Sequence, residues 1–275
     1  MKLSRQVKTA MISIFILALS LIGIPLMFNF QYMFLYYPSS SVPPEALLKA
    51  GNMKLWRASG IDYGGLVSEN EPILGRGTVV VFHGNGGTAA DRAYYLDALG
   101  PLGYRVVLAE YPAYGGRKGE LGEKSYVKDA RESIRLAFED FGGPLFLLGE
   151  SLGCGVAAAA ARETSVQIDG LVLITPWDSL ASVAQEKFPF FPVRLFLKDE
   201  YDSIGNLRSF KGNIAVVGAA RDALVPVAHA RNLYDSLSGK SKKMWIFPEA
   251  GHNDWYMYAD KLWWKEVMDF VDGKA

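Results

Sequence analysis

The chain has 275 residues, half of them apolar, with 29 acidic and 29 basic side chains and three histidines. That length suits one large domain with an appendage. Zero formal net charge leaves no long-range field for gathering nucleic acid, and the single cysteine, Cys154, excludes an internal disulfide and any zinc site built from several thiolates.

The amino terminus departs from the average. Lys2, Arg5 and Lys8 precede residues 9–44, which carry no charged side chain. The most apolar part, Ala10 to Phe28, would span about 28 Å as a helix, near the thickness of the hydrocarbon core. Residues 1–8 therefore read as a short basic terminus, 9–30 as a transmembrane anchor, 31–44 as an interfacial linker and 45–275 as the globular domain. A cleaved signal peptide is the competing reading of 9–30, but the segment is long for one and no clear small-x-small pattern follows it. Positive charges before the segment and none just after it predict a single-pass, membrane-anchored protein with its domain on the non-cytoplasmic side. The aromatic stretch from Phe30 to Pro38 suits either the interface or packing on the domain.

Met53–Ala58 and Tyr63–Ser68 read as two short strands. Residues 78–82 (TVVVF) form a continuous β-branched run of the kind buried on both faces. Thr88 and Asp91 offer a capping pair for a helix to about Leu102, and Arg105–Ala109 is the next strand. Val127, Ala130, Ile134, Phe138 and Phe141 recur at helical spacing until Gly142-Gly143-Pro144. Strands follow at 145–148, 171–174, 214–217 and 244–247, with helices at 154–162, 227–237 and 256–271. Short apolar strands alternating with longer helices predict an α/β fold, a mostly parallel central sheet with helices on both faces. In such sheets chemistry sits outside the carboxyl ends of the strands.

Gly149-Glu150-Ser151-Leu152-Gly153 follows a predicted strand and opens a predicted helix, the context of a nucleophile elbow; an ordinary glycine-rich turn is the plain alternative. Serine needs a base. His252, in the loop after the strand at 244–247, is preferred. His83 ends the strand at 78–82 and is read as holding its loop, with Gly84 and Gly86 keeping that backbone bare, while His229 is placed on a solvent-facing helix surface. Asp222, past the strand at 214–217, is the expected carboxylate partner of the imidazole. Asp178 and Asp254 compete for that place, and either could cap a helix instead, Asp254 the last one. The backbone N–H groups of Leu152 and Asn85, with Gly86 second to Asn85, are the expected oxyanion donors. Phe188, Phe190, Phe191 and Phe196 either wall an acyl site or cover the sheet edge. Cys154 reads as a small buried residue.

FHGNGG at 82–87, YPAYGG at 111–116, GESLG at 149–153, TPWDSL at 175–180, RDALVP at 221–226 and GHNDW at 251–255 occur in order. With them the chain resembles the α/β-hydrolase superfamily, and within it the membrane-anchored bud-emergence-type and ABHD-type serine hydrolases; an apolar segment followed by YYP at 36–38 is also similar to that group. The resemblance implies esterase, thioesterase or peptidase-like chemistry through Ser151, Asp222 and His252. Two positions depart from it: Ala113 stands where such proteins usually carry glycine, and Arg117 where many carry serine. The segment between Ile174 and Ile214 is too short for a large helical lid, so a small lid or none is expected.

The expected function is cleavage of carboxylic ester or thioester bonds through an acyl-enzyme, on a small-molecule or lipid-like acyl substrate, with no cofactor and no metal. A serine aminopeptidase or amidase of the same fold, and a membrane-tethered non-catalytic binding module, are the alternatives.

Overall fold

The computed structural model of the chain describes residues 31–57, 62–70, 72, 74–237 and 241–274. The expected anchor, residues 9–30, lies outside them; among the described residues no helix is long and apolar enough to cross a membrane.

Eight strands make the main sheet: β1 (Met53–Trp56), β2 (Gly65–Ser68), β3 (Gly77–Phe82), β4 (Tyr104–Ala109), β5 (Leu145–Glu150), β6 (Gly170–Ile174), β7 (Asn213–Ala219) and β8 (Lys242–Phe247). Their spatial order is β8-β7-β6-β5-β3-β4-β2-β1. All neighbours pair in parallel except at β2, which runs antiparallel to both β1 and β4. Alternate residues of each strand point to opposite faces, and both faces are covered. Val80 and Phe82 face one core with α3 (Glu123–Phe141) and α4 (Leu152–Arg162), while Val79 and Val81 face a second core with α2 (Tyr94–Leu99) and α8 (Lys261–Val271). Burial on both sides is the reason these strands read as unbroken apolar runs rather than as alternating ones. Further helices are α1 (Glu45–Ala50), α5 (Leu180–Lys187), α6 (Ser203–Leu207) and α7 (Val227–Ser236).

Two helices differ from their sequence expectation. The one expected over 88–102 is divided into a 3-10 turn at Ala89–Arg92, α2, and a second 3-10 turn at Gly100–Leu102. Its start is as expected, with Thr88 and Asp91 forming a reciprocal capping box. The last helix begins at Lys261, not Tyr256, because Asp260 accepts from the Trp263 N–H and caps it. Trp255–Met257 is a separate 3-10 turn.

The segment expected as an interfacial linker packs on the domain in part. Tyr36 is buried, donating to Asp199 at 2.6 Å and lying 3.0 Å from the Tyr201 hydroxyl. Tyr37 and Pro38 pair in parallel with Gly86 and Gly87. A strap is thereby sewn onto the loop after β3.

Ala113, at the position where glycine was expected, has φ +68°, a left-handed conformation in which a Cβ is strained. Ala113→Gly is expected to stabilise the fold by about 0.5–1 kcal/mol after the added freedom of the unfolded chain is counted. Thermal unfolding should show a rise of about 1–4 °C. Arg117, at the other departure, forms a fork with Asp129 at 2.9 Å to both oxygens and also donates to the Glu110 carbonyl, so it ties this loop to α3.

Candidate active site

β5 ends at Glu150 and α4 starts at Leu152, leaving Ser151 alone in the turn with φ +52° and ψ −115°. The turn is tight because backbone closes on backbone. A Cβ on Gly149 would lie 2.5 Å from the Gly153 carbonyl oxygen, and one on Gly153 would lie 1.9 Å from that of Phe82. Both distances are shorter than any real contact, so both flanking positions of the G-x-S-x-G pattern require glycine. The strain at Ser151 is the kind that surrounding structure holds in place at sites of chemistry.

Ser151 Oγ is 2.8 Å from His252 Nε2, and His252 Nδ1 is 2.6 Å from Asp222 Oδ2. The other Asp222 oxygen accepts from the N–H groups of Leu224 at 2.9 Å and Val225 at 2.7 Å. Those bonds fix the rotation of the carboxylate. The three side chains come from loops after β5, β7 and β8 and meet at the carboxyl end of the sheet. An imidazole held on its Nδ1 side by a carboxylate presents Nε2 as a proton acceptor to the hydroxyl.

Asn85 lines the same cavity as Ser151 and His252, and Leu152 is the first residue of α4, where an N–H has no acceptor within its helix. The loop carrying Asn85 is tied from several sides. Its side-chain amide donates to the Leu35 carbonyl at 3.0 Å, and its own carbonyl accepts from the Tyr37 N–H at 2.9 Å and the Tyr114 hydroxyl at 2.6 Å. Burial pushes the Tyr114 hydroxyl up to about 12, keeping it a donor. His83 is buried, with Nδ1 2.7 Å from the Gly84 carbonyl and Nε2 3.0 Å from Glu110. Glu110 is fully buried and also accepts from the N–H groups of Ala89 and Tyr111 and from the Tyr63 hydroxyl. His83 is thus part of the loop's foundation. Gly86 pairs with Tyr37.

The site opens into a cavity of about 590 Å³ whose walls are almost wholly apolar, a size typical of small-molecule sites. Trp177, Leu180, Val183 and Val225 line it, as do Phe188, Phe191 and Phe196. Of the four phenylalanines with two readings, these three wall the cavity, while Phe190 lies outside it. Among the described residues no group of three or more His, Cys, Asp or Glu side chains is arranged to hold a metal ion.

Residues 75–196 match the family of serine aminopeptidase S33. The chain is 31% identical over 230 residues to an uncharacterized protein of Mycobacterium tuberculosis H37Rv, covering 82% of this chain and 81% of that protein. It is 27% identical over 241 residues to the lysophosphatidylserine lipase ABHD12 of Bos taurus, covering 78% of this chain and 58% of the lipase. Among solved structures, the esterase Pf2001 of Pyrococcus furiosus has the same fold, with a TM-score of 0.66 at 18% identity over 87% of this chain and 98% of the esterase. The chain belongs to the α/β-hydrolase superfamily.

In this α/β hydrolase the competing candidates are engaged elsewhere. His229 is not solvent-facing: it is buried, with Nδ1 3.0 Å from Asp178 and Nε2 2.9 Å from Glu186. Asp178 is the hub of that cluster, accepting from the Ser179 N–H at 2.7 Å and from Ser182 and Asn232. Burial alone would raise its carboxyl, but the hydrogen bonds from Ser182, Asn232, the Ser179 N–H and His229 together outweigh burial and hold it below the usual carboxylate range. Asp254 does not cap α8; its carboxylate accepts from the Gly251 N–H at 2.6 Å and so shapes the turn presenting His252. Cys154 is buried, donating to the carbonyls of Gly149 and Ile174, and burial pushes its thiol well up. The cavity residues on the strap (Gln31, Phe34, Leu35 and Tyr37) had no signal in local pattern.

Proposed function

We propose that this hydrolase cleaves carboxylic ester or thioester bonds of lipid-like acyl substrates, with Ser151 as nucleophile. The observation that carries the reading is the unbroken chain Asp222–His252–Ser151 opening onto an apolar cavity. Ser151 Oγ attacks the carbonyl carbon as His252 Nε2 takes its proton, and the Asp222 carboxylate stabilises the imidazolium. The N–H groups of Leu152 and Asn85 receive the oxyanion; one such donor is worth about 3–4 kcal/mol in the transition state. His252 then gives its proton to the leaving group and next activates the water that frees the acyl chain. These steps call on no cofactor. That the Bos taurus relative is named a lipase favours a substrate with a lipid-like chain.

The name of the matching family, serine aminopeptidase, makes amide cleavage the second reading. An aminopeptidase must receive the substrate's ammonium group, yet among the described residues no Asp or Glu lines the cavity and Lys187 is the one Lys or Arg that does.

A graded series of p-nitrophenyl esters, acyl thioesters and aminoacyl anilides separates the readings. Each added methylene that enters the cavity is worth about 0.8 kcal/mol, so kcat/KM should rise roughly fourfold per methylene from acetyl until the cavity is filled. Anilides preferred over esters would replace the ester reading. Inertness toward every substrate and every serine-directed probe would leave a binding module.

A further inference from the structure

The mouth of the cavity carries an apolar rim. Phe34, Tyr37, Phe188, Phe191 and Leu224 line the cavity and are exposed as well, so they stand where it meets the surface. Met33, Phe190 and Leu195, next to lining residues in sequence but outside the lining, are 69%, 101% and 73% exposed. Single exposed apolar residues are ordinary, but a group of them around one opening marks a contact surface.

Two features identify what the surface meets. Residues 187–198 read KFPFFPVRLFLK: three cations, no acid, and every other residue apolar or proline. Aromatic and aliphatic side chains interleaved with Lys and Arg suit the boundary of an anionic bilayer, where rings sink toward the acyl chains and cations meet the headgroups. The second feature is chain continuity. Gln31 lines the cavity, and the uncharged residues 9–30 precede it directly, so a segment suited to hydrocarbon leads into the rim without a spacer.

We propose that this rim rests on an anionic lipid bilayer, so that the acyl chain passes from the membrane into the cavity without crossing water. The proposal deepens the ester-hydrolase reading and rests on it for the substrate.

The test uses the full chain in vesicles of phosphatidylcholine and phosphatidylglycerol. A Phe190→Cys variant is labelled with a nitrobenzoxadiazole fluorophore; Cys154 is buried and does not compete for it. Lipids bearing a nitroxide on the acyl chain should quench this label at least twofold. They should leave unchanged a label on Lys265→Cys, which belongs to α8 on the opposite face of the sheet. Equal quenching at both positions, or none at 190, overturns the proposal; an unquenched 190 would mark the rim as a face for another protein. A second variant combines Met33→Asp, Phe190→Asp and Leu195→Asp, all outside the cavity lining. It should lose at least tenfold on a fluorogenic long-chain ester carried in vesicles while keeping p-nitrophenyl acetate hydrolysis within twofold. An unchanged rate on the vesicle ester overturns the proposal, and if both rates fall together the quenching decides. Failure of the ester-hydrolase reading shows separately, as an unmodified protein inert toward both esters and toward fluorophosphonate, with quenching at 190 unaffected.

Discussion

Ser151→Ala is expected to lower kcat on a p-nitrophenyl ester by roughly 10⁵- to 10⁶-fold, on the scale of other triad serines, and to abolish fluorophosphonate labelling. The substitution removes one oxygen and keeps the Cβ, so the φ of +52° is no worse tolerated than before. Among the described residues the lost hydroxyl has His252 Nε2 as its side-chain partner, and that nitrogen can face water in the open cavity. Thermal stability should therefore stay close to that of the parent, and a melting curve beside the turnover assay separates chemistry from unfolding. A variant that still labels would reject Ser151 as the nucleophile.

Asp222→Asn is expected to cost about 10⁴-fold in kcat, the scale known for such a replacement in a serine triad, for a reason visible in the hydrogen bonds. Two N–H groups, from Leu224 and Val225, point at Oδ1, so the carboxamide must put its oxygen there. Its NH2 then faces His252 Nδ1, which can only accept from it. The imidazole proton is forced onto Nε2, and the ring donates to Ser151 where it should accept. Size and fold are unchanged. The measurement is kcat beside a melting curve, and a loss under tenfold would show that the carboxylate does not set the tautomer.

Much of the fold was legible because the strands are buried on both faces: Val79–Val81 and Leu145–Leu148 have no solvent side to place a polar residue on. The turn at Ser151 was legible because its spacing follows from two backbone contacts, at Gly149 and Gly153, that no other residue type allows. The failures share a cause. His229 looked solvent-facing on its own helix, but its partners Asp178 and Glu186 are 51 and 43 positions away, and local spacing carries no information about them. Asp254 and Asp260 each precede an apolar stretch; Asp260 caps α8 through the Trp263 N–H, while Asp254 is taken up by the turn at the Gly251 N–H. The seat of Tyr36 against Asp199 joins positions 163 apart. The strap's share in the cavity was therefore invisible, although its aromatic character was plain.

The strap has a mechanical consequence. Leu35 and Tyr37 bond directly to Asn85, so any tension on the polypeptide ahead of Gln31 reaches the proposed oxyanion donor unless the seat of Tyr36 absorbs it. The buried Tyr36 hydroxyl, clasped by Asp199 and Tyr201, serves as a strain relief, much as a clamp protects the joint behind a pulled cable. A proteolytic cut after Pro38 would leave serine, histidine and aspartate untouched and still strip the loop of this fastening, whereas a cut before Gln31 would spare it.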